Sequence, residues 1–246
     1  MKITTVGIDL AKNVFVIHGV DDHGKPVLRK KLDRSKMLEF FIKLQPCLIG
    51  MEACGSAHYW ARKLVAMGHT VKLMAPQFVK PYVKTNKNDA ADADAEAICE
   101  AVTRPNMRFV PIKTDEQQAV LSLHRVRQGF VKVRTAQANQ IRGLLSEFGV
   151  TIPQGITHIA KRLPGIMENL DLPGSFRELL QRLYYHLKEL DKQVDELDAK
   201  IQQWHRESAV SRKLAEIPGI GPITATALVA SIGDAKSFKN GRQLAA

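Results

Sequence analysis

Thr4-Thr5-Val6-Gly7-Ile8-Asp9 is a short β-rich run that ends on an acid. The same grammar returns in Cys47-Leu48-Ile49-Gly50-Met51-Glu52. A run of this length bounded by turn residues suits a strand buried on both faces, and the terminal carboxylate then marks the strand's end. Between the two lie the β-rich runs Val14–Val20 and Val27–Leu32, joined by the turn residues Asp21-Asp22-His23-Gly24-Lys25-Pro26. Ser35 stands where an N-cap belongs, ahead of Met37, Leu38, Phe41, Ile42 and Leu44 at helical spacing. After Glu52 the pattern predicts a helix over Ala57–Met67 stopped by Gly68, a strand over Thr70–Met74, breaks at Pro76 and Pro81, and a helix from Asn88 to Val102. The order is βββαβαβα, which suits an α/β mixed sheet covered on both faces.

That order is the one found in ribonuclease H folds, and it gives four acids a common purpose. Asp9 and Glu52 end strands, while Asp89 and Asp92 open the helix at 88–102. An i,i+3 pair shares one helix face, about 60° apart. Convergent carboxylates repel unless a cation lies between them, and hard oxygen ligands select Mg²⁺ or Mn²⁺. Taken singly the acids are ordinary: a strand-end turn residue, an N-cap, a solvated helix face. Asp94 lies about 140° from Asp89 at 100° per residue, off that face, whereas Glu96 returns to it as a candidate auxiliary ligand. Gly7-Ile8-Asp9-Leu10 also resembles the first phosphate loop of actin-like ATPases, but Ala11-Lys12-Asn13 follows and no second Asp-Gly-rich phosphate loop appears.

Beyond a first domain at 1–110, residues 111–208 read as long helices. The segment 115–149 carries Leu123, Val126, Phe130, Val133, Ile141, Leu144 and Phe148 mostly on one stripe. From Gln117 to Ser146 it holds no acid, yet it holds Arg125, Arg127, Lys132, Arg134 and Arg142. A charge run is usually a solvated face, but an all-cationic one suits a nucleic-acid backbone, and Lys84 and Lys87 add to the candidate contacts. Residues 174–207 place Leu180, Leu183, Leu187, Leu190, Val194, Leu197, Ile201 and Trp204 at 3,4,3,4,3,4,3 spacing, a heptad seam that predicts a coiled coil. Its mate is either the 115–149 helix or a second subunit, so a homo-oligomer is expected, dimer or tetramer. The Gly- and Pro-bearing stretch 149–174 reads as a connector. In the last portion, 209–246, Ile217-Pro218-Gly219-Ile220-Gly221-Pro222 precedes an apolar helix at Ile223–Ile232. This looks like a helix-hairpin-helix, in which Gly219 and Gly221 allow a tight turn and the following N–H groups hold a phosphate. A plain Gly/Pro turn between helices fits the same residues.

The 246 residues carry 36 Lys+Arg against 25 Asp+Glu, a net charge of +11, which favours a polyanionic partner. The three cysteines, Cys47, Cys54 and Cys99, have no CxxC spacing and read as reduced thiols rather than disulfides or a zinc site. No apolar run approaches the roughly 20 residues of a membrane span, and the acid at Asp9 interrupts any signal-like start. The expected location is the cytoplasm, on the nucleoid when bound to DNA.

Gly7-Ile8-Asp9-Leu10-Ala11-Lys12, Gly50-Met51-Glu52, Lys87-Asn88-Asp89-Ala90-Ala91-Asp92-Ala93 and Pro218-Gly219-Ile220-Gly221-Pro222 together resemble transposases of the insertion-sequence 110 family, closest to its 1111 branch. The likeness runs in order along nearly the whole chain. It implies an N-terminal RuvC-like domain with an Asp-Glu-Asp-Asp site at Asp9, Glu52, Asp89 and Asp92, a coiled coil, and a C-terminal transposase domain. It implies a DNA recombinase guided by a structured bridge RNA that pairs with donor and target DNA. Two departures stand out. Asp92-Ala93-Asp94-Ala95-Glu96 repeats the Asp-Ala unit, so Asp94 competes with Asp92 for the fourth position. The family's nucleophilic serine lies downstream of the Pro-Gly-Ile-Gly segment, which by this resemblance implies a position beyond Ala246; Ser231 and Ser237 stand too near that segment to take the role. This reads as a truncated chain, incomplete for catalysis. The alternatives are a RuvC-like structure-selective nuclease using metal-activated water, and a non-catalytic RNA/DNA-binding dimerisation protein.

Overall fold

The computed structural model describes residues 2–83, 93–169, 171–233, 235 and 238–245. The chain divides into two units, Met1–Glu116 with Ile232–Ala246, and Gln117–Ser231.

The first unit is built on strands β1 (Thr5–Leu10), β2 (Val14–Val20), β3 (Pro26–Asp33), β4 (Leu48–Glu52), β5 (Thr70–Met74) and β6 (Phe109–Val110). They form one mixed sheet in the order β3-β2-β1-β4-β5-β6. β1 runs antiparallel to β2 and parallel to β4, and β4 runs parallel to β5. The α/β class and the first five strands follow the sequence reading; β6, only two residues long, carried no periodic signal. Alternation sends Val6, Ile8, Phe15, Ile17, Ile49 and Met51 to one face, where they form a core with α1 (Met37–Ile42) and α2 (Ala57–Ala66) through Met37, Phe41, Trp60 and Leu64. Ser35 is not the cap expected of it. It lies inside a single 3₁₀ turn at Arg34–Lys36, and α1 starts only at Met37. Past β5 come the one-turn helix α3 (Pro76–Val79) and a 3₁₀ turn at Lys80–Tyr82. α4 (Ala93–Ala101) covers the other face of the sheet.

Arg62 of α2 reaches the residues after β6. It donates to the Lys113 carbonyl at 2.6 Å and pairs with Asp115, while the Lys113 N–H donates to His58 Nδ1 at 3.2 Å. Burial, then the charges of Lys113 and Arg62, push the imidazole of His58 down to about 4.

The second unit is helical. α5 (Asp115–Ser146) and α7 (Gly174–Glu207) are its long members. Arg127 pairs with Asp198, Arg134 with Asp191, and Gln137 Oε1 accepts from His186 Nδ1 at 3.0 Å, so residue numbers rise on one helix as they fall on the other. The helices are antiparallel. The heptad seam is used inside the chain: Leu180, Leu187, Leu190, Val194 and Ile201 are buried, with Leu183, Leu197 and Trp204 partly so. On α5 the buried side is Val120, Gln137, Ala138, Ile141 and Leu145, whereas Val126 and Val133 are 47% and 45% exposed. The apolar stripe read from the sequence was therefore only partly the packed one.

The expected connector at 149–174 contains a third helix, α6 (Ile156–Asn169), with Pro164 inside it. Proline removes the N–H that would bond the carbonyl four residues back, that of Ala160. Tyr184 Oη of α7 donates to that carbonyl at 3.2 Å. The partner helix thus satisfies the group the proline leaves over, and Ile159 and Leu163 are buried beside it. Among the described residues no helix is long and apolar enough to cross a membrane.

Candidate metal and nucleic-acid site

Asp9 and Glu52 stand one residue beyond the last β1–β4 register pair, Ile8↔Met51. Neighbours in register on parallel strands share a face, so both carboxylates leave the sheet on the side bearing Gly7 and Gly50. Those glycines have a steric reason. A Cβ on Gly7 would lie 2.1 Å from the Ala95 carbonyl oxygen and 2.5 Å from the Cys99 nitrogen. A Cβ on Gly50 would lie 2.8 Å from Val102 Cβ. Only glycine lets α4 lie backbone-close on this face. Cys99 Sγ approaches the Thr5 carbonyl at 3.8 Å while Ala95 lies over Gly7, so α4 runs against β1 and its first turn points to the Asp9 end.

Cys54, in the turn after β4, reports on both acids. Burial raises its thiol above the ordinary range, and the charges of Glu52 and then Asp9 push the same way.

Asp89 and Asp92 lie outside the described residues, as do Lys84 and Lys87. In sequence they directly precede α4, whose first residue is Ala93. Among the described residues no three His, Cys, Asp or Glu side chains gather as a metal-binding group. Asp94, the competitor for the fourth position, is half-buried in the first turn of α4. Glu96 lies 4.0 Å from Arg29 on β3, on the side of the sheet away from β4, so its expected role as auxiliary ligand has no support from its placement.

The five cations of α5 separate into two groups. Arg127 makes a two-pronged pair with Asp198, and Arg134 pairs with Asp191. Arg142 donates to the carbonyls of Pro153 and Gly155 at 3.1 and 3.0 Å and to Asn139 Oδ1 at 2.8 Å. Arg125 and Lys132, one heptad apart, are exposed. The absence of acids within α5 hid the acids on the helix facing it. A second basic stretch escaped the sequence reading although its signal was plain: Lys25, Arg29, Lys30, Lys31, Arg34 and Lys36 crowd around β3, with Asp33 among them. Arg29, Lys30 and Lys31 are exposed on this edge strand.

In the last portion, Gly219 has φ +88° and the Ile220 N–H donates to the Ile217 carbonyl at 3.0 Å. Pro218 and Gly219 thus occupy the two central positions of a type II-like turn, the second of which needs positive φ. The turn joins α8 (Ala209–Leu214) to α9 (Pro222–Ile232), and nothing lies within 4 Å of a Cβ placed on Gly219 or Gly221.

The chain aligns with two transposase family models. One, of IS110 type, matches residues 6–150; the other, Transposase IS116/IS110/IS902 family, matches residues 211–246. A probable family 20 transposase of Pseudomonas aeruginosa is 51% identical over all of this chain and 73% of its own length. The transposase for insertion sequence element IS1328 of Yersinia enterocolitica is 43% identical over all of this chain and 72% of its own. That for IS1111A of Coxiella burnetii is 39% identical over 99% of this chain and 67% of its own. The chain belongs to the IS110 family of transposases.

Proposed function

We propose that the first unit is a RuvC-like ribonuclease H domain in which Asp9, Glu52, Asp89 and Asp92 hold Mg²⁺ or Mn²⁺, and that the protein cuts and rejoins DNA during insertion-sequence transposition. The observation that carries this reading is the seating of α4 on Gly7 and Gly50, which brings the start of the helix to the face and end of the sheet that bear Asp9 and Glu52. The donor set fits: four carboxylates offer hard oxygens and no thiolate is required of Cys54. A divalent ion bound there supplies neutralising charge at a scissile phosphate and eases deprotonation of an attacking hydroxyl. Asp9 and Glu52 fix their ligand oxygens on rigid strand ends, the placement that holds a reacting phosphate most accurately.

The resemblance adds the remaining parts: a nucleophilic serine downstream of the Pro-Gly-Ile-Gly turn, and a structured bridge RNA. Serine attack on the phosphodiester would form a phosphoserine link to one strand end as the P–O bond to the other breaks and releases a free hydroxyl, so that bond energy is conserved for rejoining. The net charge of +11, Arg125 and Lys132, and the α8–α9 turn with Gly219 and Gly221 support contact with DNA and RNA backbones. Assembly into a dimer or tetramer belongs to this reading, but through surfaces other than the seam of α7, which is filled within one chain.

Asp9→Asn and Glu52→Gln test the reading. Each should abolish Mn²⁺ binding in calorimetry and, in the full-length transposase, lower strand cleavage by on the order of 10²-fold or more while circular dichroism stays unchanged. Unaltered metal affinity in both variants would sink it.

A further inference from the structure

The end of the sheet that carries Asp9 and Glu52 has a second feature on its opposite face. The β1–β2 turn, the residues after β3 and the start of α2 enclose an open depression of about 780 Å³. Its walls include Asn13, Arg34, Ser56, Tyr59 and Trp60. The Arg34 guanidinium sits 5.2 Å from the Trp60 ring centre and 5.7 Å from that of Phe15. Tyr59 meets Trp60 edge-on at 5.1 Å and is 40% exposed. Trp60 is only 4% exposed, and its indole N–H has no acceptor among the described residues.

The chemistry narrows the occupant. An exposed aromatic ring beside a flat guanidinium accepts a planar base by stacking. Arg34 is exposed, and its one side-chain hydrogen bond among the described residues is a long 3.4 Å contact to the Lys12 carbonyl, so most of its five donors remain for a phosphate. Asp33 also lines the depression, but Lys36 stands 3.9 Å from its carboxylate and offsets its charge. Lys30 of β3, over the Phe40 ring of α1, lies on the same face of this edge strand and adds a cation for a backbone. A base inside an intact duplex cannot reach such a pocket, whereas an unstacked one can.

We propose that this pocket receives one unpaired nucleotide of a nucleic-acid strand, its base on Tyr59 and its phosphate on Arg34. The proposal rests on the reading of this unit as one that handles nucleic acid, and it does not require the metal. The pocket would hold a strand extrahelical beside the acids, on the other face of the same sheet end.

The test uses the whole chain with Trp204→Phe, which leaves Trp60 as the one tryptophan of the two, in EDTA. The probes are DNA hairpins, identical except that one carries a single extrahelical nucleotide. The bulged hairpin should quench Trp60 emission and bind about 5-fold or more tightly than the paired one, the lower range of base–aromatic stacking. Arg34→Gln and Tyr59→Ala, both surface changes, should each remove most of that gain and leave binding of the paired hairpin nearly unchanged. Asp9→Asn should leave the gain intact, which separates this pocket from a failure of the acid site. Matching RNA hairpins identify the strand: a response confined to RNA assigns the nucleotide to RNA, and one confined to DNA assigns it to DNA. Equal quenching and affinity for paired and bulged hairpins, or a gain that survives both variants, overturns the proposal.

Discussion

In the sheet unit, Asp9 and Glu52 are brought to one place by backbone register and by two glycines that allow a helix to settle on their face. In the helical unit, Arg127 and Arg134 meet Asp198 and Asp191 one heptad apart on each of two antiparallel helices. The first arrangement gathers like charges, the second pairs unlike ones. Like charges held together by a rigid scaffold are costly without a cation and suit a site. Unlike charges in a repeating register fix the alignment of two helices and use up cations that would otherwise face a ligand. The two units thus show how an array of charge is to be judged: by what stands opposite it, not by its own sign.

The contrast is sharpest at Gly7. Replacing it with Ala forces a Cβ into the backbone of α4, which has no rotamer to yield, so the cost should exceed the ~1–3 kcal/mol typical of overpacking. Gly50→Ala meets the Val102 side chain at 2.8 Å and should cost less, within that range. Urea denaturation of the two variants checks the order. Metal affinity should fall with Gly7→Ala even where the protein remains folded, because α4 can no longer approach the acids. A Gly7→Ala protein of wild-type stability would mean that α4 is not seated as described, and the comparison between the units would lose its first half.

Placing Asp9 and Glu52 at strand ends was easier from the sequence than placing the cations of α5 on a free face, for a physical reason. Strand ends, alternation and the Gly-before-acid pattern are local, so Asp9 and Glu52 could be located from a few neighbours. The fate of Arg127 depends on Asp198, 71 residues away. A charge pattern on one helix holds no information about the helix facing it. The heptad seam was legible because periodicity is local too, but its mate was not: Leu187 and Leu190 look the same whether they pack on α5 or on another subunit. α6 was hidden by Pro164, which reads as a breaker until Tyr184 supplies the donor that the Ala160 carbonyl lacks. Trp60 and Arg34 gave no periodic or motif signal, since their pocket is assembled from three separate segments.

A smaller effect separates the cations of α5. Arg134→Ala should cost stability, and a double-mutant cycle with Asp191→Ala should return a coupling of about 1 kcal/mol, as befits a partly exposed pair. Arg125→Ala with Lys132→Ala should leave stability within about 0.5 kcal/mol. It should instead weaken binding of structured RNA or duplex DNA and flatten the salt dependence by about one for each phosphate no longer neutralised. If Arg134→Ala alone flattens the salt slope and shows no coupling to Asp191, that cation faces the ligand after all, and the contrast drawn between the two units fails on its second half.

An effect of similar size concerns His58, a side chain of the sheet unit that is held neutral beside cations. Its Nδ1 accepts the Lys113 N–H, and burial with the charges of Lys113 and Arg62 holds the ring neutral, with a value near 4 against an ordinary 6.5. The group's pKa is depressed in the folded chain, so between pH 6.5 and 4 the unfolded chain takes up a proton that the folded chain does not. Its contribution to stability is therefore complete above that window and declines as the pH falls through it. Solvent around the partly exposed ring should limit the loss to about 1 kcal/mol. His58→Gln removes the titration, so the pH dependence of its unfolding free energy should be shallower than that of the native protein over this window and parallel to it above pH 7. Parallel curves throughout would show that burial beside Lys113 and Arg62 does not hold His58 neutral, and that this tie between α2 and the residues after β6 is maintained by Arg62 alone.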